Sequence, residues 1–304
     1  MDVSLDVPEK MVDLPPFPIV LQKAIQLLSH PDTSIQEIVD VIQCDQSITA
    51  NVLRICTSAY FGMRREIHSL KEALVLLGFD QLMEMILSQQ GATLFPRDTA
   101  QDVELWRHSI SCALLTGIVS RRLDGKTNPT YYTAALVHDV GKVALAKSVE
   151  NYLSEVRCCM EEEHLSLTKA EKKRWGIDHA ELGGRYLETW KFPDAIIAAV
   201  RYHHAPLTAH DHRDIVQRIY FCDVISMVMG IGGGAGELTY SAFLAMMKQY
   251  NLKEEDYDWL VAQLKDRFQS VEKVLGMSGD QQGQPELFSL TDIRSHENLG
   301  ALSN

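Results

Sequence analysis

The chain has 304 residues, 46% of them hydrophobic and 23% charged, the proportions of an ordinary globular protein with room for a large core, and its length fits two domains or one elaborate one. Its 29 basic and 41 acidic residues leave a net charge of −12, which repels phosphate backbones over most of the surface and disfavours a generic nucleic-acid binder, though not a local basic pocket for a small anion. No apolar run reaches the ~18 uncharged residues of a membrane span, and residues 1–6 have neither the basic nor the apolar part of a secretory leader, so no membrane association and a cytoplasmic protein are expected.

A polar lead passes into Leu14-Pro15-Pro16-Phe17-Pro18, which cannot be helical throughout. The apolar spacing from Ile19 to Leu28 then predicts a helix that Pro31 ends. Ser34 with Glu37 three residues on is a capping box for a second helix through Ile38, Val39 and Ile42, and Asp45 suits the N-cap of a third carrying Ile48, Val52, Leu53, Ile55 and Cys56. Ser69 with Glu72 repeats the box before a helix that Gly78 ends, and another follows from Asp80 to about Gln89. Residues 92–100 read as a connection to a second helical unit. Helices are expected from Gln101 to Leu123, from Pro129 to the pair His138-Asp139, from Lys142 to Glu163 and from Asp178 to Trp190. Pro193 stops the last of these, and Asp194 can cap the next, through Ile196 and Val200 up to His203-His204. Further helices fit Arg213 to Gly230, Leu238 to Tyr250 and Lys253 to Leu275, with a Gly232-Gly233-Gly234 loop between the first two. No strand pattern competes. The fold class is all-α: an N-terminal helical bundle over residues 1–96 packed on a second helical bundle over residues 97–276, then a polar tail over residues 277–304.

Six cysteines, Cys44, Cys56, Cys112, Cys158, Cys159 and Cys222, show no metal-binding spacing and read as reduced thiols, mostly small hydrophobes. The polar residues that interrupt apolar helices are more informative. His138 and Asp139 end the run Tyr132-Thr133-Ala134-Ala135-Leu136-Val137, where a carboxylate needs a cation, a metal or hydrogen bonds. Neighbouring residues on a continuous helix point about 100° apart, so both face one site only if the helix ends or bends there, and Gly141 suits such a turn. Lys142 supplies a nearby cation. Asp223 lies among Ile219, Tyr220, Phe221, Cys222, Val224, Ile225 and Met227, with almost no solvent-facing stripe. Glu104 and His108 sit at i and i+4 and share a face, as an exposed pair would too. His179 follows a capping Asp178, and His203-His204 close a helix, where imidazoles also complement the macrodipole. His210, Asp211 and His212 read as solvent-exposed loop residues.

Taken jointly, these imidazoles and carboxylates on separate helices form the N/O donor inventory of a metal site in a helical bundle, with Asp139 able to bridge two ions. Thiolates are absent from the set, which argues against structural zinc and leaves iron, manganese or catalytic zinc. A hydrogen-bonded network without metal is the competing account of the same residues.

The spacing of His108, His138-Asp139 and Asp223 resembles the HD-domain superfamily of metal-dependent phosphohydrolases. Within it, Leu14-Pro15-Pro16-Phe17-Pro18, Ser58-Ala59-Tyr60-Phe61-Gly62, Ser69-Leu70-Lys71-Glu72-Ala73-Leu74, Leu105-Trp106-Arg107-His108-Ser109 and Asp178-His179-Ala180-Glu181-Leu182-Gly183 are similar to the HDOD family, the HD-related output domain of bacterial signalling proteins, over about residues 14–276. The resemblance implies an HD-like second bundle, a bacterial source and a role in signal transduction. By likeness to the superfamily, His108, His138, Asp139 and Asp223 match its basic metal set. By likeness to the HD-GYP branch, which hydrolyses cyclic dinucleotides, His179, His203 and His204 match ligands of a second ion, Glu104 a further carboxylate and Lys142 a phosphate-contacting lysine. The chain departs from that branch after His203-His204, where Ala205-Pro206-Leu207-Thr208-Ala209-His210 carries no Gly-Tyr-Pro segment. The expected function is therefore a regulatory protein holding two divalent ions, iron or manganese before zinc, and acting on a signalling protein partner. The alternative is a phosphohydrolase of nucleotides or cyclic dinucleotides, with Asp139 and Lys142 as catalytic residues and a phosphate-containing small molecule as ligand.

Overall fold

A computed structural model describes residues 18–28, 30, 32–56, 69–94, 100–231 and 240–274. The motif at residues 58–62, most of the Pro-rich lead-in, the glycine loop at 232–234 and the polar tail lie outside them. The described residues contain helices and no strand. In chain order these are α1 Ile19–Leu28, α2 Ile35–Ile42, α3 Gln46–Cys56, α4 Leu70–Leu77, α5 Phe79–Leu94, α6 Ala100–Asp124, α7 Pro129–Val137, α8 Val140–Ser148, α9 Tyr152–Glu163, α10 Leu167–Trp175, α11 His179–Thr189, α12 Asp194–Tyr202, α13 Arg213–Val228, α14 Tyr240–Gln249 and α15 Glu254–Val274. Among the described residues, no helix is long and apolar enough to cross a membrane.

Local signals account for most boundaries. Ser34 and Glu37 form the reciprocal capping box at α2, Ser69 caps α4 and Asp45 accepts from the amides of Ser47 and Ile48 at the start of α3. Asn128 caps α7 with Pro129 as its first residue, and Asp178 caps α11 by accepting from the Glu181 amide. Several expectations change. The segment from Lys142 to Glu163 is two helices, broken where Val149 turns extended and Asn151 adopts a φ of 57°. Asp194 is the first residue of α12 rather than its cap, a place Pro193 takes. Residues 92–94 still belong to α5, and a helix the apolar pattern did not reveal, α10, lies between α9 and α11.

One contiguous core runs through the described helices. The helices α6 and α7 pack along each other, α12 and α13 close over α7, and α15 lies on α6 with Phe268 against Trp106. The first helices reach this body mainly through α5, where the Ser88 and Tyr132 hydroxyls bond at 2.6 Å and Glu84 meets Arg267 of α15 at 3.3 Å. Arg218 of α13 clamps α6 by hydrogen bonds to Ser120 and Asp124.

The helices α8 and α11 meet with their backbones almost touching. Gly141 is not the turn residue its place in the sequence implied. It lies in the first turn of α8, and a Cβ there would stand 1.9 Å from the backbone oxygen of His179 and 2.9 Å from the amide nitrogen of Gly183. Backbone cannot yield as a side chain tip can, so the two helices approach this closely only over glycine. Gly141→Ala is expected to cost ~1–3 kcal/mol of stability by overpacking, read as a lower urea midpoint. An unchanged midpoint would mean that α8 and α11 separate freely.

Candidate metal centre

The polar residues of the apolar helices converge. α7 ends at Val137 and α8 starts at Val140, so His138 and Asp139 form the turn between them and both side chains face one place, the His138 Nε2 lying 3.4 Å from Asp139 Oδ2. α6 brings His108, α13 brings Asp223, α11 brings His179 as its first residue, and the end of α12 brings His203 and His204. Arg201, paired with Glu181 at 2.9 Å and Glu188 at 3.0 Å, fastens α12 to α11 and so sets the paired histidines beside His179. His138, Asp139, His179 and His203 have no exposed surface, and His108 and Asp223 have almost none. His204 is partly exposed.

Two donor groups come together, and Asp139, a member of the second, also lies against the first. In one, His108, Cys112, His138 and Asp223 come together, with Asp223 Oδ1 3.0 Å and His138 Nε2 3.2 Å from His108 Nε2. In the other, Asp139, His179, His203 and His204 come together, with His179 Nε2 2.8 Å from His204 Nε2 and 3.4 Å from Asp139 Oδ1. The Asp139 carboxylate divides between them. Its Oδ1 faces His179 and His203, while its Oδ2 faces His138 at 3.4 Å, His108 at 3.6 Å and the Lys142 ammonium at 2.7 Å.

The imidazoles are held with one nitrogen turned outward and the other inward. His138 Nδ1 meets the Ala135 carbonyl at 2.7 Å, His203 Nδ1 the Val200 carbonyl at 2.6 Å, and His179 Nδ1 the Glu171 carboxylate at 2.7 Å. An Nδ1–H that donates to oxygen leaves the Nε2 lone pair of a neutral ring free, and all three Nε2 atoms point into the cluster. Burial drives His138 down to about 4, against the pull of Asp139 and Asp223, and drives His204 well below its ordinary value, so both rings stay neutral. Burial alone would raise Asp139 and Asp223. The Lys142 ammonium holds Asp139 far below the carboxylate range, and the hydrogen bond from His108 does the same for Asp223.

Two atoms decide the character of the site. His203 Nε2 and Asp139 Oδ1 are buried, lie 3.6 Å apart and have no hydrogen-bond partner. With the His203 Nδ1–H given to the Val200 carbonyl, the Nε2 lone pair faces the Asp139 carboxylate, and an unsatisfied buried acceptor costs ~1–3 kcal/mol, more when charged. A cation satisfies both. The candidate donor atoms of each group lie within 4.8 Å of one another, against about 4.2 Å for donors on opposite sides of an ion with ~2.1 Å bonds, so small side-chain adjustments close either group around one ion.

Glu104, one helix turn before His108, falls outside both groups: the shared face holds, but the rise of about 6 Å over four residues carries the side chain out to solvent, where it is exposed. Cys112 lies one turn after His108, its Sγ 3.7 Å from Nε2. Burial raises its thiol far above the ordinary value, so without an ion it stays protonated, although it stands within the first donor group. The residue hidden from sequence reasoning is Glu171. It sits in Lys169-Ala170-Glu171-Lys172-Lys173-Arg174, which reads as a solvated charged face, yet it is fully buried and accepts from His179 and from the Tyr152 hydroxyl. The available signal was its place in the stripe of Leu167, Ala170 and Trp175.

Beside His204 the surface opens into a pocket of about 410 Å³, walled by Gln217, Tyr220, Met246 and Tyr250 with Leu207 at its rim.

Comparison with known proteins places this architecture. The HDOD domain family model matches residues 14–206, which takes in every candidate ligand except Asp223. The fold is shared with an HDOD domain protein of unknown function from Geobacter sulfurreducens, 23% identical with a TM-score of 0.69 over 89% of this chain and 96% of that one. A candidate signal transduction protein from Marinobacter aquaeolei VT8 is 25% identical with a TM-score of 0.70 over 87% of this chain and 59% of its own. A candidate metal-dependent phosphohydrolase from Shewanella amazonensis SB2B, 17% identical with a TM-score of 0.55 over 89% of this chain and 95% of its own, has the same fold. An uncharacterized protein of Treponema pallidum (strain Nichols) is 20% identical over 224 residues, 73% of this chain, which spans 44% of that relative. The chain belongs to the HDOD family.

Proposed function

We propose that this protein is a bacterial regulatory module of the HDOD type whose HD-like bundle holds two divalent ions, iron or manganese in preference to zinc, and presents a surface so fixed to a signalling protein in the cytoplasm. The observation that carries the metal is the facing pair of unpartnered buried acceptors, His203 Nε2 and Asp139 Oδ1. His108, His138, Asp139 and Asp223 would hold one ion, and Asp139, His179, His203 and His204 the other. The depth of the site favours regulation over turnover: the ligands other than His204 are buried to 4% exposure or less, so metal occupancy bears on how the ligand-bearing helices sit together more than on what reaches the ions. The description of the Marinobacter aquaeolei relative supports the same reading. Protein purified without a histidine tag should carry about two equivalents of metal, and His203→Ala about one fewer. A metal-free wild type that keeps its stability after chelation would overturn the proposal.

The pocket beside His204 favours a second reading, hydrolysis of a phosphate ester. Ions bound in the cluster would lower the pKa of water toward neutrality and polarise phosphoryl oxygens. Lys142, only 20% exposed and held by Asp139, keeps its ammonium beside the cluster, where it offsets negative charge on a phosphoryl group. Protein reloaded with iron or manganese should then turn over a member of a phosphodiester panel, with loss of rate in Lys142→Ala. No turnover by the metal-replete protein across the panel would remove this reading and leave the regulatory one.

A further inference from the structure

We propose that Glu171 and Tyr152 are positioning residues that make the Asp139, His179, His203, His204 group the tighter of the two ion positions, so that the ions load in order. This rests on the reading that the cluster holds metal. Glu171 is fully buried on α10, and it lies next to three cations that are all committed elsewhere: Lys172 pairs with Asp178, Lys173 with Glu163 and Arg174 with Glu155. Its own partners are the His179 Nδ1 at 2.7 Å, the His179 amide at 3.0 Å and the Tyr152 hydroxyl. A carboxylate taken out of water needs more than hydrogen bonds, because its charge also has to be balanced. The imidazole of His179 connects it to the cluster, and positive charge at Nε2 supplies that balance across the ring.

Three of the other ligand histidines lack such support. His138 and His203 donate to carbonyls of their own helices, and His108 Nδ1 finds the Ile231 carbonyl at 3.3 Å and the Ser226 hydroxyl at 3.4 Å, all neutral acceptors. An anionic acceptor on Nδ1–H raises the basicity of Nε2 more than a neutral one does, and losing such outer partners costs 10–100-fold in metal affinity. Glu171 also fixes where His179 stands, because it binds the backbone amide as well as the ring, while Gly141 abuts the carbonyl of the same residue. Tyr152 fixes Glu171 in turn, its ring packed against Trp175 at 5.3 Å. The α9–α10 pair, which contributes no ligand, thus has a definite part in the site.

The test is a calorimetric titration of chelator-stripped full-length protein, without a tag, using Mn²⁺, and a parallel titration with Co²⁺ followed by its d–d absorption. Wild type should bind in two separable steps. Glu171→Gln, which keeps shape and removes charge, should weaken the tighter step 10–100-fold, leave the weaker step in place and alter the Co²⁺ spectrum of the first equivalent. Tyr152→Phe should weaken the same step by a smaller factor, and it carries the test if Glu171→Gln does not fold. Two-step binding with wild-type affinities in both variants, or weakening confined to the second step, would overturn this inference while leaving the metal reading intact. A wild type that binds no ion would overturn the metal reading itself.

Discussion

Asp139→Ala should purify with neither ion and unfold with a loss of ~3–5 kcal/mol, the range for removing one partner of a buried charge pair. Its carboxylate faces both donor sets: Oδ1 lies 3.4 Å from His179 Nε2 and 3.6 Å from His203 Nε2, and Oδ2 lies within 3.6 Å of His108 and His138. Without it the second set keeps only imidazoles and the first only Asp223 as its anion, and the two cations lose the charge between them. The Lys142 ammonium also loses its 2.7 Å partner. That side chain is 20% exposed and can turn its tip toward water, which sets the expected loss near the lower end of the range. Asp139→Asn preserves the shape and should also lose the metal, but with a smaller stability loss. Metal content by mass spectrometry and urea midpoints separate the two effects, and two ions retained in Asp139→Ala would place the metal elsewhere in the chain.

The difference between what could be read from the chain and what could not lies in the range of the interactions. Capping is local, so Ser34 with Glu37, Asp45, Ser69 and Asp178 announce helix starts within four residues of themselves, and the structure has helices there. A polar residue in an apolar run is also a local signal, and it singled out His138, Asp139 and Asp223. Signals that depend on where a helix lies in space fail. Glu104 has the right i, i+4 relation to His108, but the pattern says nothing of how far the buried cluster extends along α6. Glu171 fails in the opposite sense, because three neighbouring cations made it look solvated while each of them was bound for a different carboxylate. Gly141 was legible as a requirement for glycine but not as to why, since the carbonyl that excludes a Cβ comes from His179, far along the chain. The break between α8 and α9 carries no Gly or Pro, only Asn151 in a left-handed conformation that asparagine tolerates.

Stripped of metal by a chelator, the protein should lose stability steeply as pH falls from about 6.5 to about 4, and His138 alone should account for ~3 kcal/mol of it, at 1.36 kcal/mol for each pH unit between the two values. Burial is the main cause of its low folded value of about 4, against an ordinary 6.5. The folded ring refuses a proton that the unfolded chain accepts, so the stabilisation is complete above 6.5 and disappears through the interval down to 4. His204 is displaced in the same direction, again by burial, and adds to the slope. Asp139 and Asp223 act later. Their folded values lie below the ordinary 3.8, so their contribution is intact above that pH and is lost only below it. The acid limb therefore has two parts, imidazoles first and carboxylates second, and His138→Ala should flatten the first part while leaving the second. Urea midpoints at half-unit steps from pH 8 to pH 3 resolve them. A wild type whose midpoint stays constant between pH 7 and pH 5 would mean that these rings are solvated in the folded state, and the buried cluster of neutral donors would then have no basis.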